Sequence, residues 1–360
     1  MSNKVLIVGF GLAGATLAFK LEQRGIPIEI IEGDKSNSSK VAAGIYNPLV
    51  FRRLLKSWQA DTFIPNLQKF FDELEIKLDA QFHFRTKILK FISSADELFF
   101  WERRANEGEI NHYLPNVFAK IFKPDFTIPQ TAYAEIQQSG FVRLDIMLGA
   151  AKDYFLKQNA MQLADFDFDQ IDLTGEFPLY KGIDYKTIIF AEGYRVADNP
   201  YFNYLPFTLA KGEILNVRIP NAKIDYIANR DVFILPIGND IYRVGATYVW
   251  DDINEIPTEL AQEELRYKLE KMIKVPYEVI KHVAGVRPAT HDRRPLLGKH
   301  PLHSQIAIFN GLGAKGVMLA PTLADTLLDN LLHNKEIPLD SNISRFENYR
   351  LGTKTKKLFT

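Results

Sequence analysis

The sequence predicts an α/β protein, α+β overall, in which a parallel-sheet domain is interleaved with a mostly antiparallel domain. Three observations carry this. Residues 4–8 are an apolar, β-branched run that leads into Gly9-Phe-Gly11-Leu-Ala-Gly14 and then into a helically spaced segment, 12–24. Similar buried-strand runs return mid-chain at 186–190 and near the end at 306–310. The segments between them are aromatic and punctuated by turns, as antiparallel strands are.

The first element is the most specific. Strand, Gly-x-Gly-x-x-Gly, helix, a second strand over 26–31 and then Glu32 make the dinucleotide-binding fingerprint of a Rossmann-like fold in its full context. Gly9 permits the turn, Gly11 lets backbone approach a pyrophosphate, and Gly14 with Ala15 and Ala18 lets helix pack on sheet. The unbonded N–H groups of the helix start then face the phosphates. Glu32, followed by Gly33, can accept from both ribose hydroxyls and would repel a 2′-phosphate, which disfavours NADP.

Residues 36–40 read as a polar loop. Val41-Ala-Ala-Gly44 offers small residues for a close ligand, and Asn47-Pro48 breaks the run. A long helix is expected over 57–78. Residues 80–138 read as short strands and helices broken at Pro115, Pro124 and Pro129. A strand at 140–144 precedes a helix to about 159, with Asp145 as its cap. Strands follow at 161–173 and 186–190, the latter ending on Ala191-Glu-Gly193. Further strands are expected at 212–217, 224–227, 231–236 and 241–250, the last two joined by a turn at 238–240. A helix at 258–273, a strand at 306–310, a glycine-rich loop at 311–316 and a helix at 317–332 complete the chain. With 360 residues, two domains are expected: 1–50, 140–210 and 285–360 for the nucleotide domain, and 51–139 with 211–284 for the substrate domain.

Composition narrows the chemistry. The chain is 46% hydrophobic, and its 44 basic and 44 acidic residues balance, so no general polyanion-binding surface is signalled. There is no cysteine, which excludes disulfides, thiolate metal sites, cysteine nucleophiles and a cysteinyl cofactor link. No apolar run is long enough to span a membrane. Lys20, Glu22 and Arg24 in the first helix argue against a signal peptide, so a cytoplasmic protein is expected. The seven histidines lack metal-ligand spacing and read as surface residues, His300 and His303 included; no metal is expected. No Gly-x-Ser-x-Gly elbow of a hydrolase is present.

Gly285-Val-Arg-Pro-Ala-Thr-His-Asp-Arg-Arg-Pro-Leu-Leu-Gly298 is followed by Gly311-Leu-Gly-Ala-Lys-Gly316 at the last helix. With these segments the chain resembles the D-amino-acid oxidase family of FAD-dependent oxidoreductases, which includes glycine and sarcosine oxidases. Ala42-Ala-Gly44, Ala191-Glu-Gly193, Lys211-Gly-Glu-Ile-Leu215, Pro236 and Val244-Gly-Ala-Thr247 extend the likeness over most of the chain. Residues 80–138 match least, and Glu192 stands where the family usually has Thr.

The resemblance implies FAD, held by Gly9, Gly11, Leu12, Ala13, Gly14, Glu32, Gly33, Ala42, Ala43, Gly44, Ala191, Gly193, Gly313, Ala314, Lys315, Gly316 and Val317. It implies that Arg287 pairs with a substrate carboxylate, a role that suits a planar two-pronged donor. The plain alternative is a structural arginine tying strand to loop. Lys315 lies where some members place a lysine near flavin and substrate, the alternative being a solvent-facing lysine. Arg293 and Arg294 read as loop charges, and Arg52, Arg53 and Lys56 as a solvated helix start. Tyr46, Tyr242, Tyr248 and Trp250 are candidates for the substrate side, and Phe233 implies an apolar wall.

The leading expectation is therefore oxidation of the C–N bond of an amino acid or secondary amine by hydride transfer to flavin. A second reading is a stand-alone tRNA wobble-uridine (carboxymethylaminomethyl) oxidase. It rests on the likeness of 285–292, 313–321 and 337–340 to the oxidase domain of the tRNA 5-methylaminomethyl-2-thiouridine enzyme. The lack of a methyltransferase domain and the balanced charge disfavour tRNA as the partner. A third reading is a non-catalytic flavin-binding protein. A nicotinamide-dependent dehydrogenase is weaker still, because no second fingerprint or catalytic acid is present.

Overall fold

The computed structural model describes residues 3–33, 38–119 and 126–350, so Pro124 and part of the 36–40 loop lie outside the described residues. A six-stranded sheet runs Met161–Leu163, Ile28–Glu32, Val5–Val8, Thr187–Phe190, Ile306–Asn310 and Leu296–Lys299. Its first five strands are parallel, and the last pairs antiparallel with Ile306–Asn310. Both faces of its centre are covered, which is why Val5–Val8, Thr187–Phe190 and Ile306–Asn310 are buried along their whole length and near-continuously apolar. Val5 and Ile7 face a core shared with the helices Leu12–Gln23, Ala60–Leu78, Leu144–Lys157 and Gly316–His333. Leu6 and Val8 face a second core with Phe190, Phe202 and Tyr180. The Ala60–Leu78 helix, expected with the substrate domain, thus packs in the parallel-sheet core, on the Gly316–His333 helix.

The second sheet has eight strands in the order Glu278–Arg287, Ala210–Arg218, Ile241–Gly245, Phe233–Gly238, Ile227–Asn229, Ile88–Ile92, Ala132–Ile136 and Asn116–Ala119. It is antiparallel except where Ile227–Asn229 pairs parallel with Ile88–Ile92. A smaller antiparallel sheet joins Ile45–Tyr46, Gly140–Val142 and His83–Arg85.

Several expectations need correcting. Residues 161–173 are not one strand: Met161–Leu163 ends early, and Asp167 accepts the Asp169 N–H at 3.0 Å to start a turn. Such local side-chain bonds compete with sheet pairing. Asp145 is not the helix cap. The helix begins at Leu144, and Asp145 in its first turn is gripped by Arg143, Nε to Oδ1 at 3.0 Å and Nη2 to Oδ2 at 2.9 Å. Ser38–Val41 is a single helical turn rather than loop. The strand expected at 224–227 forms instead at Ile227–Asn229, and 241–250 is regular only to Gly245. The Glu278–Arg287 strand has no strand signal, because Glu278, Lys281 and His282 leave it half exposed.

Candidate active site

The site begins where the first strand ends. Gly9 has φ +95°, and the helix starts at Leu12. A Cβ on Gly14 would stand 1.9 Å from the Gly9 carbonyl oxygen, so only glycine lets the turn close on itself. Glu32 at the end of the neighbouring strand accepts the Phe10 N–H at 2.5 Å, and Ser39 Oγ accepts the Leu12 N–H at 3.1 Å. Ser38 binds across to the other sheet: its Oγ accepts the Val286 N–H at 3.1 Å and donates to Glu255 at 2.9 Å.

A cavity of about 470 Å³ opens between the sheets. Of the residues expected to hold the cofactor, Gly9, Gly11, Leu12, Ala13, Glu32, Ala42, Ala43, Gly44, Ala191, Gly193 and Gly313 to Val317 all line it. Gly14 and Gly33 do not: Gly14 packs under the turn, and Gly33 abuts Asp165. The Ala42–Gly44 segment is held from the antiparallel sheet, because Arg243 donates to the Ala42 carbonyl at 3.1 Å and to Asp145 Oδ2 at 3.1 Å. At the far end of the parallel sheet, Asn310 donates to the Gly193 carbonyl at 2.8 Å and accepts the Gly311 N–H at 2.8 Å.

Arg287, the last residue of its strand, also lines the cavity. Its guanidinium makes only long contacts of 3.3–3.4 Å to the Thr247 and Lys211 carbonyls and lies 4.8 Å from the Tyr248 ring centre. Burial lowers its pKa, and no carboxylate among the described residues pairs with it. Lys315 is not solvent-facing: it lines the cavity and donates to Ser57 Oγ at 2.7 Å. Burial, then the charge of Arg294, lowers its pKa to about 8. Arg294 is more than a loop charge, since it stacks on Trp58 at 4.5 Å, whereas Arg293 is exposed.

The aromatic candidates separate. Tyr46 and Phe233 line the cavity, Tyr242 lies in the core of the antiparallel sheet, and Tyr248 and Trp250 are exposed. Ile88, Ile227 and Phe233 make the wall apolar, as Phe233 implied. Arg52, Arg53 and Lys56 are exposed, and Lys56 pairs with Asp61 at 2.5 Å. The histidines are not all at the surface. His300 is buried, accepts the N–H groups of Leu302 and His303, and has its pKa lowered to about 4 by burial. His83 is buried between Tyr46 and Asp72. No cluster able to hold a metal occurs among the described residues.

Glu192 was missed as a site residue. It lines the cavity and receives the Asn199 amide N–H at 2.7 Å, with no cation within ion-pair distance among the described residues. Burial pushes its pKa up to about 7. Its place in Ala191-Glu-Gly193 was the available signal. Ser39, Arg243 and Asn310 carried none, because their roles depend on chain segments distant in sequence.

These residues fit FAD. The tight Gly9–Gly14 turn, Glu32 at the end of the neighbouring strand and a cavity of about 470 Å³ beside them are what a dinucleotide needs. A parallel sheet carrying that turn, joined through one cavity to an antiparallel sheet that presents Arg287 to it, fits a dinucleotide-dependent oxidoreductase. The chain belongs to the DAO family of FAD-dependent oxidoreductases, whose model matches residues 4–329.

The chain is 21% identical over 364 residues to the tRNA 5-methylaminomethyl-2-thiouridine biosynthesis bifunctional protein MnmC of Marinobacter nauticus, covering 92% of this chain and 56% of that protein. It thus spans about half the length of that bifunctional relative. It is 33% identical over 139 residues to the glycine oxidase of Bacillus subtilis, 37% of each chain. Its fold is that of the glycine oxidase of Geobacillus kaustophilus, with a TM-score of 0.75 at 20% identity over 96% of this chain and 98% of that one.

Proposed function

We propose that this FAD-dependent oxidoreductase oxidises the C–N bond of an amine that carries a carboxylate, an amino acid or an N-substituted glycine. One observation carries the reading: Arg287 faces the cavity as a half-buried cation whose only partners among the described residues are two carbonyls at 3.3–3.4 Å and a tyrosine ring. A desolvated guanidinium is a strong site for a carboxylate. The similarity to a glycine oxidase supports the substrate class.

Bound FAD would supply the hydride acceptor. The chain's residues do the rest. Arg287 fixes the carboxylate and so orients the adjacent C–H bond. Lys315 adds a second cation to the same cavity. Ile88, Ile227 and Phe233 exclude water from one wall. Gly9 to Leu12 and Gly313 to Val317, from two helix starts, would hold the cofactor, with Ala42 to Gly44 between.

A second reading is a carboxymethylaminomethyl group on a tRNA base. It is favoured by the 92% coverage of the match to the bifunctional tRNA protein. It uses the same clamp, because that group too is a secondary amine with a carboxylate. The test is anaerobic bleaching of the flavin by glycine, sarcosine, proline, D-amino acids and undermodified tRNA. Bleaching by a carboxylate-bearing amine supports the reading. A flavin that none of them bleaches contradicts it.

A further inference from the structure

Tyr248 and Trp250 stand beside the arginine site with 45% and 60% of their surfaces exposed. Their ring centres are 4.7 Å apart, and the Tyr248 ring lies 4.8 Å from the Arg287 guanidinium carbon. Single exposed aromatics are ordinary, but a contiguous pair next to a site marks a binding surface.

The segment that carries them is firmly held. Lys211 and Val249 exchange backbone hydrogen bonds of 2.8 and 3.0 Å. Thr247 Oγ1 accepts the Glu213 N–H at 2.9 Å. The Lys211 ammonium, 1% exposed, donates to Asp252 at 2.7 Å and Asn254 at 2.9 Å. Glu213, equally buried, accepts the N–H and hydroxyl of Thr258 at 2.8 and 3.0 Å. Burying a lysine and a glutamate is costly. Here that buried pair fixes the chain on both sides of Trp250. Rings ordered in advance lose little entropy on meeting a ligand.

We propose that Tyr248 and Trp250 form a stacking shelf for a planar ring carried on the substrate nitrogen. The preferred substrate is then an N-substituted glycine with a flat aromatic or heteroaromatic substituent. This rests on the carboxylate-amine reading. Arg287 takes the carboxylate, and the shelf takes a group that glycine or sarcosine lacks. Flat π faces stack on aromatic side chains whatever their hydrogen-bonding pattern, so the ring's source is open. It could belong to a free secondary amine or to a base in RNA.

The test is anaerobic flavin reduction in the holoenzyme by sarcosine, N-benzylglycine and N-(cyclohexylmethyl)glycine. A fourth substrate is an RNA hairpin carrying carboxymethylaminomethyluridine. N-benzylglycine should half-saturate about tenfold lower than sarcosine or the cyclohexyl analogue. Trp250→Ala should remove that preference, so that N-benzylglycine and sarcosine half-saturate alike, and Trp250→Phe should restore most of it. Reduction by the hairpin and not by N-benzylglycine, with the same loss in Trp250→Ala, supports the shelf and places the ring in RNA. Equal half-saturation for sarcosine and N-benzylglycine, with the hairpin inert, overturns the shelf alone. Equal weakening of all substrates by Trp250→Ala does the same. Failure of every substrate overturns the carboxylate-amine reading and the shelf with it.

Discussion

The Arg287 guanidinium fills the space that a side chain at position 212 would need. A Cβ on Gly212 would stand 2.1 Å from Nη2 and 2.3 Å from Cζ. The two residues lie diagonally across neighbouring strands, where Gly212 pairs with Gly285 and Ala210 with Arg287. The glycine would therefore shape the proposed carboxylate site without touching substrate.

Gly212→Ala should push the guanidinium aside and leave the nucleotide end intact. A displacement of about 1 Å can cost about a hundredfold in activity. We expect KM for a carboxylate-bearing amine to rise by about that factor, with flavin content unchanged. Steady-state kinetics and the flavin-to-protein ratio check it.

Gly14→Ala tests the other end. Its Cβ would stand 1.9 Å from the Gly9 carbonyl, a backbone atom that cannot move away cheaply. The variant should be recovered without flavin. Absorbance near the flavin band, compared with protein content, decides it.

Lys315 should impose a pH dependence on substrate binding. Burial and the neighbouring Arg294 lower its pKa to about 8, so the cation is present below that pH and lost above it. KM for an anionic substrate should rise as pH passes through about 8. Lys315→Met should flatten that limb, because the titrating group is gone.

Glu192 should make cofactor retention and stability fall with rising pH. Burial raises its pKa from 4.5 to about 7, so the folded state prefers the neutral form. The contribution is full below about 4.5 and lost as pH rises through about 7. Above that pH a carboxylate with no cation within ion-pair distance among the described residues would line the cavity that would hold the anionic dinucleotide. Its neighbours Asn199, Asp198 and Arg195 offer one neutral donor, one repulsive charge and one attractive charge. Flavin released on diluting the holoenzyme should increase between pH 6 and 8 in the wild type and much less in Glu192→Gln.

The parallel sheet and its glycine turn were legible because local signals agreed: apolar runs of strand length, glycine punctuation and a helical period. The cavity lining followed from the same segments, all but Gly14 and Gly33 facing inward. The Glu278–Arg287 strand was not legible, although it presents Arg287. Its outer half is charged and exposed, and its pairing with Ala210–Arg218 supplies the order that its own residues do not. Asp145 looked like a cap because local sequence shows only its neighbours. Its second partner, Arg243, arrives from a strand 98 residues away. Lys211 and Glu213 gave no hint of burial, since only the fold brings Asp252 and Thr258 to them. What sequence concealed is thus mainly long-range polar pairing, and that pairing positions the site.

The measurement that tests the central claim most directly is anaerobic flavin reduction by sarcosine and by its uncharged methyl amide, in wild type and in Arg287→Met. Removing one partner of a desolvated charge pair costs about 2–5 kcal/mol, or on the order of a hundredfold. The clamp predicts that wild type reduces with sarcosine about a hundredfold more efficiently than with the amide, and that Arg287→Met treats the two alike. Equal reduction by acid and amide in the wild type would contradict it.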